Sequence, residues 1–124
     1  EQVERNGSRS WVWSDYLWHR PDVFLKKMPK SVVQSNWYYG SEFSSQVSHV
    51  AAYLGLESHG YDQVPTGSNW SSAENFEGTV RFCREHIVSV RLAGFLQTAW
   101  KPTIESCRDR HIDAIALAGK ALRS

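Results

Sequence analysis

The stretch that decides the reading is "SVVQSNWYYG", residues 31–40. An apolar run, Val32-Val33, passes into Asn36-Trp37-Tyr38-Tyr39 and breaks at Gly40. β-branched and aromatic residues in sequence suit a pleated strand, and glycine ends it. Just upstream, Pro21 stands where a helix would start, Phe24, Leu25 and Met28 give that helix an apolar face, and Pro29 stops it. Before it, "SWVWSDYLW" (10–18) reads as a strand running into a loop. Strand, helix and strand in succession form a parallel crossover unit, right-handed by the twist of its strands.

The alternation continues downstream. Phe43, Val47, Val50 and Leu54 recur at helical spacing, with Gly55 as the expected cap. "YDQVPTGSNW" (61–70) is a short strand, since Pro65 and Gly67 limit it. Ser71 and Glu74 predict a capping box, followed by Phe76, Val80, Cys83 and Ile87 on one helical face. "VRLAGFLQTAW" (90–100) is the fourth strand. Pro102 is expected to open a last helix whose buried stripe is Ile104, Cys107, Ile112, Ile115, Ala118 and Leu122.

These segments predict an α/β fold of four consecutive β-α units in one domain spanning 1–124. The chain has no Gly-x-Gly-x-x-Gly turn and no phosphate-binding loop, so a nucleotide fold has no support. The other large parallel class is the (β/α)8 barrel of about 250 residues. Four units in 124 residues imply half of one, which needs a partner half in a parent chain or in a second copy. "EQVERNGSRS" (1–10) reads as the tail of a helix and loop cut mid-domain.

Composition removes several functions. Fourteen basic and thirteen acidic residues leave a net charge of +1, which gives no pull toward nucleic acid or an anionic membrane. No apolar run approaches the roughly 18 residues of a membrane span. The N-terminal segment lacks the apolar core of a signal peptide, so an exported protein would carry that segment outside this chain. Cys83 and Cys107 show no metal-ligand spacing and read as free thiols on helices. His19, His49, His86 and His111 show no metal spacing and read as surface or packing residues; His59 reads as a loop residue. Neither a metal nor a cofactor is expected.

The unusual count is six Trp beside five Tyr and five Phe. In parallel barrels the site lies at the C-terminal strand ends. The four ends here are Trp13-Ser14-Asp15-Tyr16, Asn36-Trp37-Tyr38-Tyr39, Ser68-Asn69-Trp70 and Gln97-Thr98-Ala99-Trp100. Each joins a Trp to a hydrogen-bonding side chain. A pyranose ring has an apolar C–H face that stacks on an aromatic ring, and its hydroxyls need Asp, Asn, Gln and Tyr around it. The candidate carbohydrate-binding residues are therefore Trp13, Asp15, Tyr16, Asn36, Trp37, Tyr39, Asn69, Trp70, Gln97 and Trp100. The alternatives are packing of the same rings against a core or partner, and for Asp15 a helix cap or an ion pair with Arg20.

"WVWSDYLWHRPDVFLKKMPKSVVQSNWYYG" (11–40) resembles the fifth and sixth strand region of β-hexosaminidase-type barrels, glycoside hydrolase family 20. "GYDQVPTGSNW" with "ENFEGTVRFCREHI" is similar to the seventh strand and helix, and "LAGFLQTAW" to the eighth strand. The resemblance implies the C-terminal half, strands five to eight, of a (β/α)8 barrel. It implies retaining removal of terminal N-acetylhexosamine, with the substrate's acetamide as nucleophile. It places Trp13 and Asp15 at the pocket border, Trp37 and Tyr39 in its wall, and Trp100 in its floor. The family's Asp-Glu pair, at the end of its fourth strand, has no counterpart in this sequence, so no catalytic residue is assigned and the chain alone is expected to be inactive. Ser68-Asn69-Trp70 and Trp100-Lys101-Pro102 stand where the family carries carboxylates, which implies a divergent member. The reading is part of a glycoside hydrolase; the alternative is a non-catalytic carbohydrate-binding or interaction domain.

Overall fold

The computed structural model describes residues 2–124. In chain order the elements are α1 (Gln2–Arg5), β1 (Trp11–Trp13), α2 (Tyr16–His19), α3 (Pro21–Lys27), β2 (Val33–Ser35), α4 (Ser48–Ser58), β3 (Thr66–Ser68), α5 (Asn75–His86), β4 (Leu96–Thr98), a 3-10 turn (Glu105–Cys107) and α6 (Arg108–Arg123). β1 pairs with β2 and β3 with β4, both in parallel, as two separate two-stranded sheets.

The expected half-barrel of four consecutive β-α units, strands five to eight of a (β/α)8 barrel, is thereby overturned. Among the described residues, the four strands of three residues do not make one continuous sheet, and six α-helices replace the expected four. Between β2 and β3 only the isolated bridges Gln34–Gln63 and Trp37–Thr66 form. There the Ser35 hydroxyl donates to the Val64 carbonyl at 2.7 Å, a side chain taking an acceptor that a ladder would use. Between β3 and β4, Pro65 offers no N–H. The register also slips by one residue, from Gln63–Leu92 to Thr66–Leu96, beside Gly94 with φ 153°.

Helix boundaries follow local chemistry. Pro21 opens α3 as expected. α4 runs through Gly55 and ends at His59–Gly60, where Gly60 takes the left-handed φ of 75° that closes a helix. The Ser71–Glu74 box does not form: the Ser71 hydroxyl donates to the Tyr39 carbonyl and α5 starts at Asn75. Pro102 does not open α6, which starts at Arg108.

The core is a chain of three apolar groups. Leu17, Phe24, Ala52, Leu56 and Tyr61 join α2 and α3 to α4. Val50, Tyr53, Phe82, Cys83 and Ile87 join α4 to α5. Phe76, Val80 and Ala121 join α5 to α6. The expected stripe Phe76, Val80, Cys83 and Ile87 is buried throughout, with Ile87 just past the end of α5. The expected α6 stripe is not: Ile104, Ile112, Ile115 and Leu122 are exposed, while Ala114 and Ala121 face the core.

Candidate functional site

Three strand ends converge. Asp15 follows β1, Trp37 and Tyr39 follow β2, and Trp100 follows β4. The Trp37 indole N–H donates to Asp15 Oδ1. The Trp37 and Tyr39 rings stack with centroids 4.8 Å apart and planes 26° apart. Trp100 Nε1 donates to the Tyr39 hydroxyl at 2.7 Å, and its ring meets Tyr39 at 6.4 Å and 60°. The result is a continuous wall, Asp15–Trp37–Tyr39–Trp100. Asp15 occupies the N-cap position of α2, yet its carboxylate caps no backbone N–H.

The wall has definite polarity. The Tyr39 oxygen receives the Trp100 N–H, and Thr98 Oγ1 lies 3.4 Å from it. Thr98 has one hydroxyl proton and its nearer acceptor is the Gly67 carbonyl at 3.2 Å, so the Tyr39 O–H is free to turn to Thr98 Oγ1 or outward to a ligand. Burial pushes the Tyr39 pKa up against the lowering effect of Thr98 and Trp100, and the group stays a neutral phenol. Trp100 has φ 49°, a left-handed conformation that suits glycine far better than a bulky side chain. Such strain costs roughly 1–3 kcal/mol and concentrates at functional sites.

Behind the wall stand Trp18, His49 and Asn75, which the sequence reading did not assign to the site, and Asn36, which it did. Trp18 packs edge-on against Trp37 at 4.7 Å and 77°, and its N–H donates to Asn36 Oδ1 at 2.8 Å. The Asn36 amide in turn donates to the His49 carbonyl at 2.7 Å. Asn36 is 1 % exposed, so it supports the rings from behind and cannot meet a ligand. The His49 ring lies 4.1 Å from Trp18. Burial lowers the His49 pKa, while Asp15 pulls it up. Asn75, at the start of α5, is the clamp for the turn: its Nδ2 donates to the carbonyls of Tyr38 (3.0 Å) and Gly40 (2.6 Å), and its Oδ1 accepts the Ser68 N–H (2.9 Å). Trp18 follows Asp15 by one helical turn, a spacing that could have flagged it; Asn75 offered no local signal.

The remaining candidates lie apart. Trp13 is half-exposed on the sheet face with Trp11 and Leu96, around a hollow of about 250 Å³. Tyr16 is exposed on α2. Asn69 and Trp70 border a different cleft, of about 380 Å³, with Arg110, Asp113 and Leu117. There Asn69 and Arg110 exchange hydrogen bonds through their backbone carbonyls. Gln97 neighbours Thr98 on β4 and so points to the opposite face. It pairs with Gly67, whose Cβ direction meets Phe76, Thr79 and Asn75 of α5. Gln97 therefore lies under the helices, with both amide atoms buried and unpartnered.

Among the described residues no group of three His, Cys, Asp or Glu side chains could hold a metal ion, and no helix is long and apolar enough to cross a membrane. The chain matches no family model, no curated protein and no solved structure.

Proposed function

We propose that the chain binds carbohydrate at the Asp15–Trp37–Tyr39–Trp100 wall and does not hydrolyse it. The observation that carries this reading is the joining of aromatic faces to two oriented polar groups. Trp100, 57 % exposed, offers the C–H face of a sugar ring a flat partner. The Tyr39 hydroxyl donates to a ring or acetamide oxygen, and the second carboxylate oxygen of Asp15 accepts a hydroxyl. The wall carries the single carboxylate Asp15, so it lacks the pair that the usual hydrolytic schemes need. The resemblance to family 20 enzymes favours N-acetylhexosamine as the sugar. An open surface of this kind buries little of its ligand, and the expected dissociation constant is on the order of 1 mM, about −4 kcal/mol.

The test is titration of the labelled chain with N-acetylglucosamine trisaccharide, followed by amide and indole NMR shifts. The reading expects shifts at Trp37, Tyr39 and Trp100, at least tenfold weaker binding in Trp100→Ala, and unchanged binding in Trp70→Ala. Shifts confined to the Trp70 cleft, or none at 10 mM sugar (about tenfold above that estimate), would overturn it. Turnover of an aryl N-acetylglucosaminide would overturn the non-catalytic part.

A further inference from the structure

Helix α6 has two apolar sides of different character. Ala114 and Ala121 are buried toward the core, and small side chains there let the helix sit close to its neighbours. The opposite side carries Ile112, Ile115 and Leu122, exposed at 55, 73 and 44 %, with Gly119 between them. At about 100° per residue, positions 112, 115, 119 and 122 fall on one stripe. Three large aliphatic side chains in a row facing water mark an interaction surface.

The charges beside the stripe say what covers it. Asp109 and Asp113 lie along one flank in the first half of α6, and Lys120 and Arg123 continue that same flank in the second half. The helix dipole favours Asp109 and the two cations, but Asp113 lies beyond the first turn, where that effect has faded. The pattern is complementary to itself when reversed. In a parallel two-fold pair this flank would face the other flank of the second helix, so the four charges would not meet one another. An antiparallel copy sets Asp109 and Asp113 against Arg123 and Lys120 of the second molecule, and the reverse by symmetry. The apolar stripe reads the same way: Ile112 then faces Leu122 of the second copy, and Ile115 faces its Gly119. Gly119 has no side chain of its own; what lies over it is the flexible end of Arg123, with Nη1 3.3 Å from where a Cβ would stand, and that end turns out to the flank for Ile115 to enter as a knob.

We infer that the chain self-associates as a two-fold dimer through antiparallel packing of α6, with Ile115 seated over Gly119 of the second copy and the Asp109/Asp113–Lys120/Arg123 flanks paired across it. One patch meets its own image, so the contact closes on itself and stops at two. Lys120 already lies 3.4 Å from Glu77, but that pair is exposed and easily exchanged.

The test is sedimentation velocity of the chain over a concentration series. The expected result is a reversible dimer weakened at high salt. Ile115→Glu should weaken it at least 100-fold while leaving the thermal midpoint of the monomer unchanged, since Ile115 touches water already. Two charge-reversed variants complete the design: Asp109→Lys/Asp113→Lys and Lys120→Glu/Arg123→Glu. Each alone should be monomeric, and an equimolar mixture should dimerise. A chain that stays monomeric at 0.5 mM (about −4.5 kcal/mol of association) would overturn the inference and leave the stripe to another polypeptide. A dimer indifferent to Ile115→Glu would overturn it equally, as would charge variants that fail to rescue each other.

Discussion

Glu57, in the last turn of α4, takes two donors from Arg91: Nε at 3.1 Å and Nη2 on the other carboxylate oxygen. The carbonyl of the same Arg91 accepts the Gln63 N–H at 2.8 Å, so one residue ties a helix end to the strand region. The Arg91 hydrogen bonds hold the Glu57 carboxyl below the usual carboxylate range, against burial, which acts the other way. The folded pKa is therefore lower than the unfolded one. Stability from this pair is complete above the unfolded value and drains as pH falls through the folded value. Thermal midpoints should fall as pH drops from about 5 to about 3, and Glu57→Gln should show a shallower fall. Glu74, lowered by its Ser72 partner, supplies part of the remaining slope. An identical slope in Glu57→Gln would refute the assignment. Sequence proximity suggested a cap or Arg20 for Asp15, because local patterns show only partners within a turn. Its real partner, Trp37, is 22 residues away. Trp37, Tyr39 and Trp100 were legible as strand-end aromatics. Gln97 was misassigned by a single position, which in a strand reverses the face a side chain occupies.

At the scale of the element, α5 was the most legible, since its four apolar positions have one-sided helical spacing and are all buried. α6 was not. Its apolar residues cover more than one face, and periodicity alone does not say which of them meets the core. Gly78, inside α5, makes a sharper point. In an ordinary helix Gly→Ala gains about 1 kcal/mol. Here a Cβ would sit 2.3 Å from Cε2 of Phe43, a residue packed into the α4–α5 cluster with Tyr38 and Phe82. Gly78→Ala should therefore destabilise the protein by about 1–2 kcal/mol, the overpacking term exceeding the propensity gain. In a Phe43→Ala background the same change should become stabilising by roughly 0.5–1 kcal/mol. Urea unfolding of the four proteins closes this cycle, and additive effects would show that the ring yields freely.

At the scale of the whole molecule, two separate sheets raise the question whether the chain unfolds in one step or two. Alternating strands and helices were legible in the sequence; the break between β2 and β3 was not, because it arises where the Ser35 hydroxyl takes the Val64 carbonyl rather than from any change in hydrophobic pattern. The backbone nevertheless crosses the gap. Gln34 N–H donates to Asp62, Val64 N–H to Gln34 and Thr66 N–H to Asn36, each at 2.9 Å. The three apolar groups share elements as well: α4 serves the first two and α5 the last two, and Phe95 packs against both the second and the third. No group can open without exposing part of the next. Tryptophan fluorescence and far-ultraviolet circular dichroism should therefore give coincident urea transitions, with a slope of about 1–3 kcal/mol per molar. The amide of Val64, which bridges the gap, should exchange hydrogen only through the same global opening as the amide of Leu56 in α4. Faster exchange at Val64 alone would mean that the β1–β2 half opens by itself, and two resolved transitions would mean that the shared helices do not couple the halves.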